Sequence, residues 1–306
     1  MSDSDHQLRV AAFAFLEHHT RVLSDLPLPW NLLSAGFVHE GRRVPLVGPQ
    51  GIFKPAGMRL PLSITTAPII PGKDRPYDDE VGVDDLIRYR YRGTDPYHRD
   101  NIGLREAMRE RVPLVYLHGV ERGQYVAAWP VFVVGDDPAA LTFTVAVGVR
   151  TPAPGDVDLA GLISEGDLDR RYATRAVIAR LHQQSFRARV LTAYRERCAV
   201  CRLRHRELLD AAHILPDGHP EGRPVVQNGL ALCTLHHTAF DRYVLGVTPD
   251  LGIEIRRDIL EEEDGPMLEH GLQGFHGATL IVPTAPHLQP NRNFLAERYE
   301  LFRKAS

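Results

Sequence analysis

The chain has 306 residues, 43% hydrophobic and 25% charged, with a formal net charge of −3. That length and balance predict one or two globular domains, each large enough for its own core. No apolar run reaches the length of a bilayer span, and residues 1–6 lack the basic region and apolar core of a secretion signal, so a cytoplasmic chain with no membrane segment is expected.

Residues 6–26 read as one amphipathic helix, with Leu8, Ala11, Ala12, Phe15, Leu16, Val22 and Leu23 on a shared face and Pro27 and Pro29 ending it. Strand patterns follow at 60–66, 86–91, 114–118, 125–134 and 141–147, interrupted by a short helix over 101–110. This predicts a β-rich domain over 1–150. Pro and Gly replace the strand pattern from Thr151 onward, so 151–169 reads as a linker. A long helix is expected over 170–197, a cysteine- and histidine-rich module over 198–245, a hairpin from Tyr243 to Arg256 and a closing helix over 290–304. Together 170–306 form the second expected domain, and the fold class is α+β.

The net charge argues against a nucleic-acid partner, but its distribution argues for one. Eleven arginines and a single acid, Glu196, lie between Arg170 and Arg206. Such a block suits phosphate contact, with Arg175, Arg180, Arg187 and Arg189 as candidates for a DNA backbone.

All three cysteines lie between 198 and 233, an odd and clustered set that reads as metal binding rather than as a disulfide framework. Cys198-x2-Cys201 and Cys233-x2-His236 have the spacing of a closed, structural Zn2+ site. The adjacent His237 can exchange roles with His236. A site with all four positions filled leaves no place for a reacting water.

His213, Asn228 and His237 remain, in the order His, Asn, His. A neutral imidazole can deprotonate water near pH 7, and a divalent cation can neutralise the charge that develops on a phosphodiester. The stretches Asp210-Ala-Ala-His213-Ile-Leu-Pro, Asn228-Gly-Leu-Ala-Leu-Cys and Leu-His-His237-Thr-Ala-Phe-Asp241 resemble the HNH, or ββα-metal, endonucleases. The resemblance implies that His213 is the general base, that Asn228 orients His213 by hydrogen bonding and holds its loop, and that His237 binds a catalytic Mg2+ or Mn2+. Many such enzymes carry an acidic metal ligand immediately before the base. Ala212 stands there, so Asp210 and Asp241 compete for that role. In an ideal strand Asp210 and His213 face opposite ways, so a bulge or a strand end is required.

Tyr77, Asp79 and Glu80, then Tyr89, Tyr91 and Gly93, an Asn101-x2-Leu104 helix and Gly123-x-Tyr125 occur in an order that resembles the SRA (YDG) domain. That domain is a PUA-like curved barrel that reads modified cytosine in a flipped base. The resemblance implies that Tyr77 and either Tyr89 or Tyr91 stack on the base, while Asp79 or Glu80 accepts from its N4 amine.

The combined expectation is a modification-dependent, type IV-like restriction endonuclease. Its substrate is double-stranded DNA containing 5-methylcytosine or 5-hydroxymethylcytosine, and cutting both strands favours a homodimer. Two alternatives stand beside it. In one, the N-terminal domain of an HNH nuclease reads an unmodified sequence or a protein partner. In the other, the missing acid at 212 leaves an inactive protein that only binds modified DNA.

Overall fold

The computed structural model describes residues 3–23, 27–68, 86–148 and 167–305. It divides into two compact units, Met1–Gln184 and Ser185–Ser306.

The first unit opens with helix α1, Asp3–Val22. Strand β1 (Leu28–Pro29), helix α2 (Trp30–Ala35), a β2–β3 hairpin (Phe37–His39, Arg42–Val44), β4 (Ile52–Phe53) and β5 (Ser63–Thr65) follow. Then come β6 (Ile87–Arg90), α3 (Arg99–Arg109), β7 (Leu114–Glu121), β8 (Gln124–Asp137) and β9 (Thr142–Val147). A seven-stranded sheet runs β4-β5-β7-β8-β9-β6, with β1 added on β8. It curls into a half-barrel. The bend has a local cause, because the β7–β8 and β8–β9 ladders both carry register shifts, and such bulges kink a strand and raise its twist.

Helix α1 covers one side of this sheet. Leu8, Ala12, Phe13 and Leu16 pack with Leu28, Leu33, Val115 and Leu117. The sequence pattern placed Val22 on this face, but it is exposed at the helix end, and Phe13 takes part instead. Arg9 is fully buried on the same helix and donates to the carbonyls of Pro113 and Pro61 at 2.8 Å each. Burial lowers its pKa to about 10, against the pull of Asp5. An arginine inside an apolar face breaks the pattern, and these carbonyls provide the partners that make its burial possible.

Helix α4, Asp167–Ala193, crosses the division between the units. Its buried Thr174 accepts the Val147 N–H at 2.9 Å, which keeps its first turns with β9. The boundary therefore falls at 184/185, beyond the linker expected at 151–169, most of which lies outside the described residues.

The second unit contains the antiparallel pair β10 (Leu209–His213) and β11 (Gly229–Cys233), followed directly by helix α5 (Thr234–Asp241). The hairpin β12 (Leu245–Val247) and β13 (Ile253–Ile255), short helices α6 (Arg257–Leu260) and α7 (Pro266–Gly271), and helix α8 (Arg292–Ala305) complete it. Phe186, Val190 and Leu191 of α4 join Ala212, Leu230, Leu232, Phe240 and Leu295 in one core. Among the described residues no helix is long and apolar enough to cross a membrane.

Candidate active site

The cysteine pattern closes in space. Cys198, Cys201, Cys233 and His236 offer ligand atoms that all lie within 4.8 Å of one another. The Cys201 and Cys233 sulfurs are 3.9 Å apart, and His236 Nδ1 lies 3.5 Å from Cys198 Sγ and 3.1 Å from Cys233 Sγ. Tetrahedral bonds of about 2.3 Å to sulfur place two such ligands roughly 3.8 Å apart, so the donor set fits zinc. His236 Nε2 sits 2.9 Å from the Gly271 carbonyl, which assigns the proton to Nε2 and turns Nδ1 toward the sulfurs. His236, not His237, is thus the fourth member. Hydrogen bonds from Cys198 and Cys201, and from the His236 backbone, drive the Cys233 thiol toward thiolate, the form that ligates metal.

A second cluster lies on the β10–β11–α5 frame. His213 ends β10, opposite Gly229 of β11, and the ladder between them runs without a bulge. His213 stands at the strand end, within electrostatic reach of Asp210, His237 and Asp241. His237 stands on α5, with Asp210 Oδ2 3.6 Å from its Nδ1 and Asp241 Oδ2 3.3 Å from its Nε2. The two competing carboxylates therefore flank the same imidazole on opposite sides. Each also meets an arginine, Arg187 Nε at 3.2 Å from Asp210 Oδ1 and Arg298 Nη2 at 3.9 Å from Asp241 Oδ1. The imidazole with either one of these carboxylates is a donor pair that suits a hard or borderline divalent cation.

The electrostatics separate the two histidines. Contact with Asp241, and more weakly with Asp210, raises the pKa of His237 against its burial. Burial lowers that of His213, opposed by Asp217 and Asp241 and aided by His237. His213 Nε2 is buried and makes no hydrogen bond among the described residues. Asp217 Oδ1 is 3.1 Å away but outside hydrogen-bonding alignment. A histidine whose burial favours the neutral form, with a nitrogen that makes no hydrogen bond among the described residues, has the properties of a general base.

Asn228 departs from its expected role. It is fully buried, and its side chain accepts the Leu215 N–H and donates to the carbonyls of Leu215 and Arg223. These bonds hold the loop, as expected, but none goes to the His213 ring, so orientation of the base by Asn228 is corrected. The His213 ring instead stacks on Phe186, with centroids 4.0 Å apart and planes 21° apart.

Two of the four arginines are turned inward. Arg187 donates to the carbonyls of Leu209 and Arg206, and Arg189 to that of Pro224. Both brace the module around its strands, whereas Arg175 and Arg180 are exposed on α4.

Residues that sequence reasoning missed include Asp217, Phe186 and Arg298. The first follows His213 at a spacing of four residues, and the second lies within the long helix expected over 170–197. Arg298 gave no signal. It lies between the rings of Phe240 and Tyr243, 4.7 and 4.3 Å from their centroids, and donates to the Phe240 carbonyl at the end of α5.

In the first unit, the Tyr91 ring packs on Phe143 at 4.5 Å, and its hydroxyl is held by Asp136 and Arg105. Tyr89 and Tyr91 are both buried, and both line a cavity of about 290 Å3 with Gln50, Thr65, Thr66 and Arg90. Tyr77, Asp79 and Glu80 lie outside the described residues.

Residues 198–248 match the family model described as HNH endonuclease. The chain carries an HNH endonuclease domain. The match spans the zinc-fitting cluster, both strands and α5, and it supports a metal-dependent nuclease. No curated protein matches the chain. Among solved structures, the modification-dependent TagI restriction endonuclease aligns over 78% of this chain and 80% of its own, at 18% identity and a TM-score of 0.30. At that score the two chains share no demonstrated overall fold. In the HNH domain the His, Asn and His positions fall on the end of β10, the entry to β11 and the body of α5.

Proposed function

We propose that this nuclease is a cytoplasmic, modification-dependent restriction endonuclease that hydrolyses phosphodiesters in double-stranded DNA carrying 5-methylcytosine or 5-hydroxymethylcytosine. The convergence of His213, Asp210, His237 and Asp241 on one ββα frame carries the catalytic half. His213 accepts the proton of the attacking water as its oxygen bonds to phosphorus. The bond from phosphorus to the 3′ oxygen breaks, leaving 5′-phosphate and 3′-hydroxyl ends. Asp217 is more than half exposed, and it must move off Nε2 for that water to enter. His237 with Asp210 or Asp241 would hold Mg2+ or Mn2+, whose Lewis acidity stabilises charge on the phosphate and the leaving oxygen. Cys198, Cys201, Cys233 and His236 would hold Zn2+ and fix the strand and helix that carry these groups.

The reading half rests on the resemblance to SRA domains and on the Tyr89 cavity. Tyr89 or Tyr91 would stack on an extruded base, with Tyr77 as the opposite wall and Asp79 or Glu80 accepting from N4. Arg175 and Arg180 are the candidates left for the DNA backbone. A homodimer would place two centres on one duplex. The deciding experiment compares cleavage of one plasmid in unmodified, 5-methylcytosine and 5-hydroxymethylcytosine forms. Preferential cutting of a modified form is expected. Equal cutting of all three would overturn the modified-base reading and leave the alternative in which the first unit reads sequence or a partner.

A further inference from the structure

Asn228 leaves the His213 ring untouched, so another group must set its plane. Phe186 and Val190 on one face of α4, and Tyr194 just past its end, meet the strand pair at this point. Val190 and Tyr194 follow Phe186 at successive helical turns. Phe186 is 2% exposed, Val190 0% and Tyr194 6%. Tyr194 donates its hydroxyl to the Gly229 carbonyl at 3.3 Å. Gly229 is the cross-strand partner of His213.

Gly229 has an ordinary extended backbone, φ −130° and ψ 143°, so its conformation does not require glycine. The missing side chain does matter. A Cβ there would lie 2.5 Å from Val190 Cγ2 and 2.9 Å from Phe186 Cζ, closer than packed carbons approach. The bare backbone lets α4 come near enough for Phe186 to lie against the imidazole at 4.0 Å and 21°.

From this geometry we propose that Phe186 is the positioning residue of the general base. Its ring fixes the plane of His213, and Gly229 makes the necessary room. Phe186 touches no substrate and acts only through His213. The inference rests on the reading of His213 as base, and the experiment separates the two.

Cleavage kinetics of Phe186→Leu and Phe186→Met test it, with His213→Ala and Leu191→Ala beside them. Leucine and methionine keep apolar bulk without a flat face. Leu191 is a fully buried neighbour on α4 whose loss reports on stability alone. We expect kcat to fall about 10- to 100-fold in both Phe186 variants, with KM and DNA affinity within about twofold. Zinc content and the unfolding midpoint are measured on each, so that loss of folded protein is separated from loss of turnover. Leu191→Ala should be destabilised yet retain kcat per folded molecule. If both Phe186 variants keep kcat within twofold per folded molecule, or lose it no more than Leu191→Ala does, the positioning role is overturned. If His213→Ala cuts normally, the base assignment itself fails first.

Discussion

Asn228 holds both backbone polar atoms of Leu215, accepting from its N–H and donating to its carbonyl, each at 2.9 Å. This pair closes the loop that leaves His213 and returns to β11. The bonds are fully buried, so removing the amide strands two backbone groups from water as well as from each other. Asn228→Ala should cost about 2–3 kcal/mol of stability. Chemical denaturation of the purified variant measures this, and a loss below about 0.5 kcal/mol would mean that the loop finds other partners.

The zinc-fitting cluster predicts two separable metal requirements. Brief treatment with a chelator should abolish cleavage, and added Mg2+ or Mn2+ should restore it without refolding. Cys198→Ser should instead lower zinc content, stability and activity together, because metal-binding energy contributes to folding. Metal analysis with thermal unfolding distinguishes these cases. A Cys198→Ser protein with full zinc content and an unchanged midpoint would remove the cluster from that role.

The flanking of His237 by two carboxylates makes a sharper prediction than either alone. Of Asp210→Asn and Asp241→Asn, the one that removes the carboxylate sharing the cation with His237 should raise the Mg2+ concentration for half-maximal cleavage at least about tenfold, and the other should leave it unchanged. Titration of cleavage rate against Mg2+ gives the answer for each residue separately. An unchanged titration for one variant excludes that carboxylate from the metal set and leaves it as a partner of Arg187 or Arg298.

The buried setting of His213 carries a pH signature. Burial holds its pKa below the ordinary 6.5, so the neutral, base-competent form persists below that pH. The acid limb of kcat/KM should therefore lie below 6.5. The stability linkage has the same sign. The unfolded chain binds the proton more readily, so stability falls as pH drops from 6.5 toward the folded pKa and is present in full above 6.5. An acid limb above 6.5 in the pH–rate profile would contradict a buried neutral base.

Much of the HNH domain was legible because its signals are local. Cys198-x2-Cys201 and Cys233-x2-His236 encode pairs of donors on single turns, and three-dimensional closure only had to bring two pairs together. The choice between Tyr89 and Tyr91 was not legible. Residues two apart on a strand share a face, so spacing cannot rank them. Phe143 and Asp136, contributed by strands distant in sequence, hold the Tyr91 side chain, and both tyrosines line one cavity. The arginine block posed the same difficulty. Counting charges cannot reveal that Arg187 and Arg189 meet backbone carbonyls of the second unit.

By itself the sequence determined which donors this protein owns: three thiolates and an imidazole for one metal, two histidines and nearby carboxylates for a reaction. Tertiary structure decided how they are partnered. It gave Asn228 to the loop rather than to the His213 ring, Phe186 to that ring, and both carboxylates to His237. The reason is physical. Residue identity and spacing define what a group can donate or accept, whereas hydrogen bonds and ring stacking act over a few ångströms with strict direction. Only the path of the chain brings a particular partner within that reach.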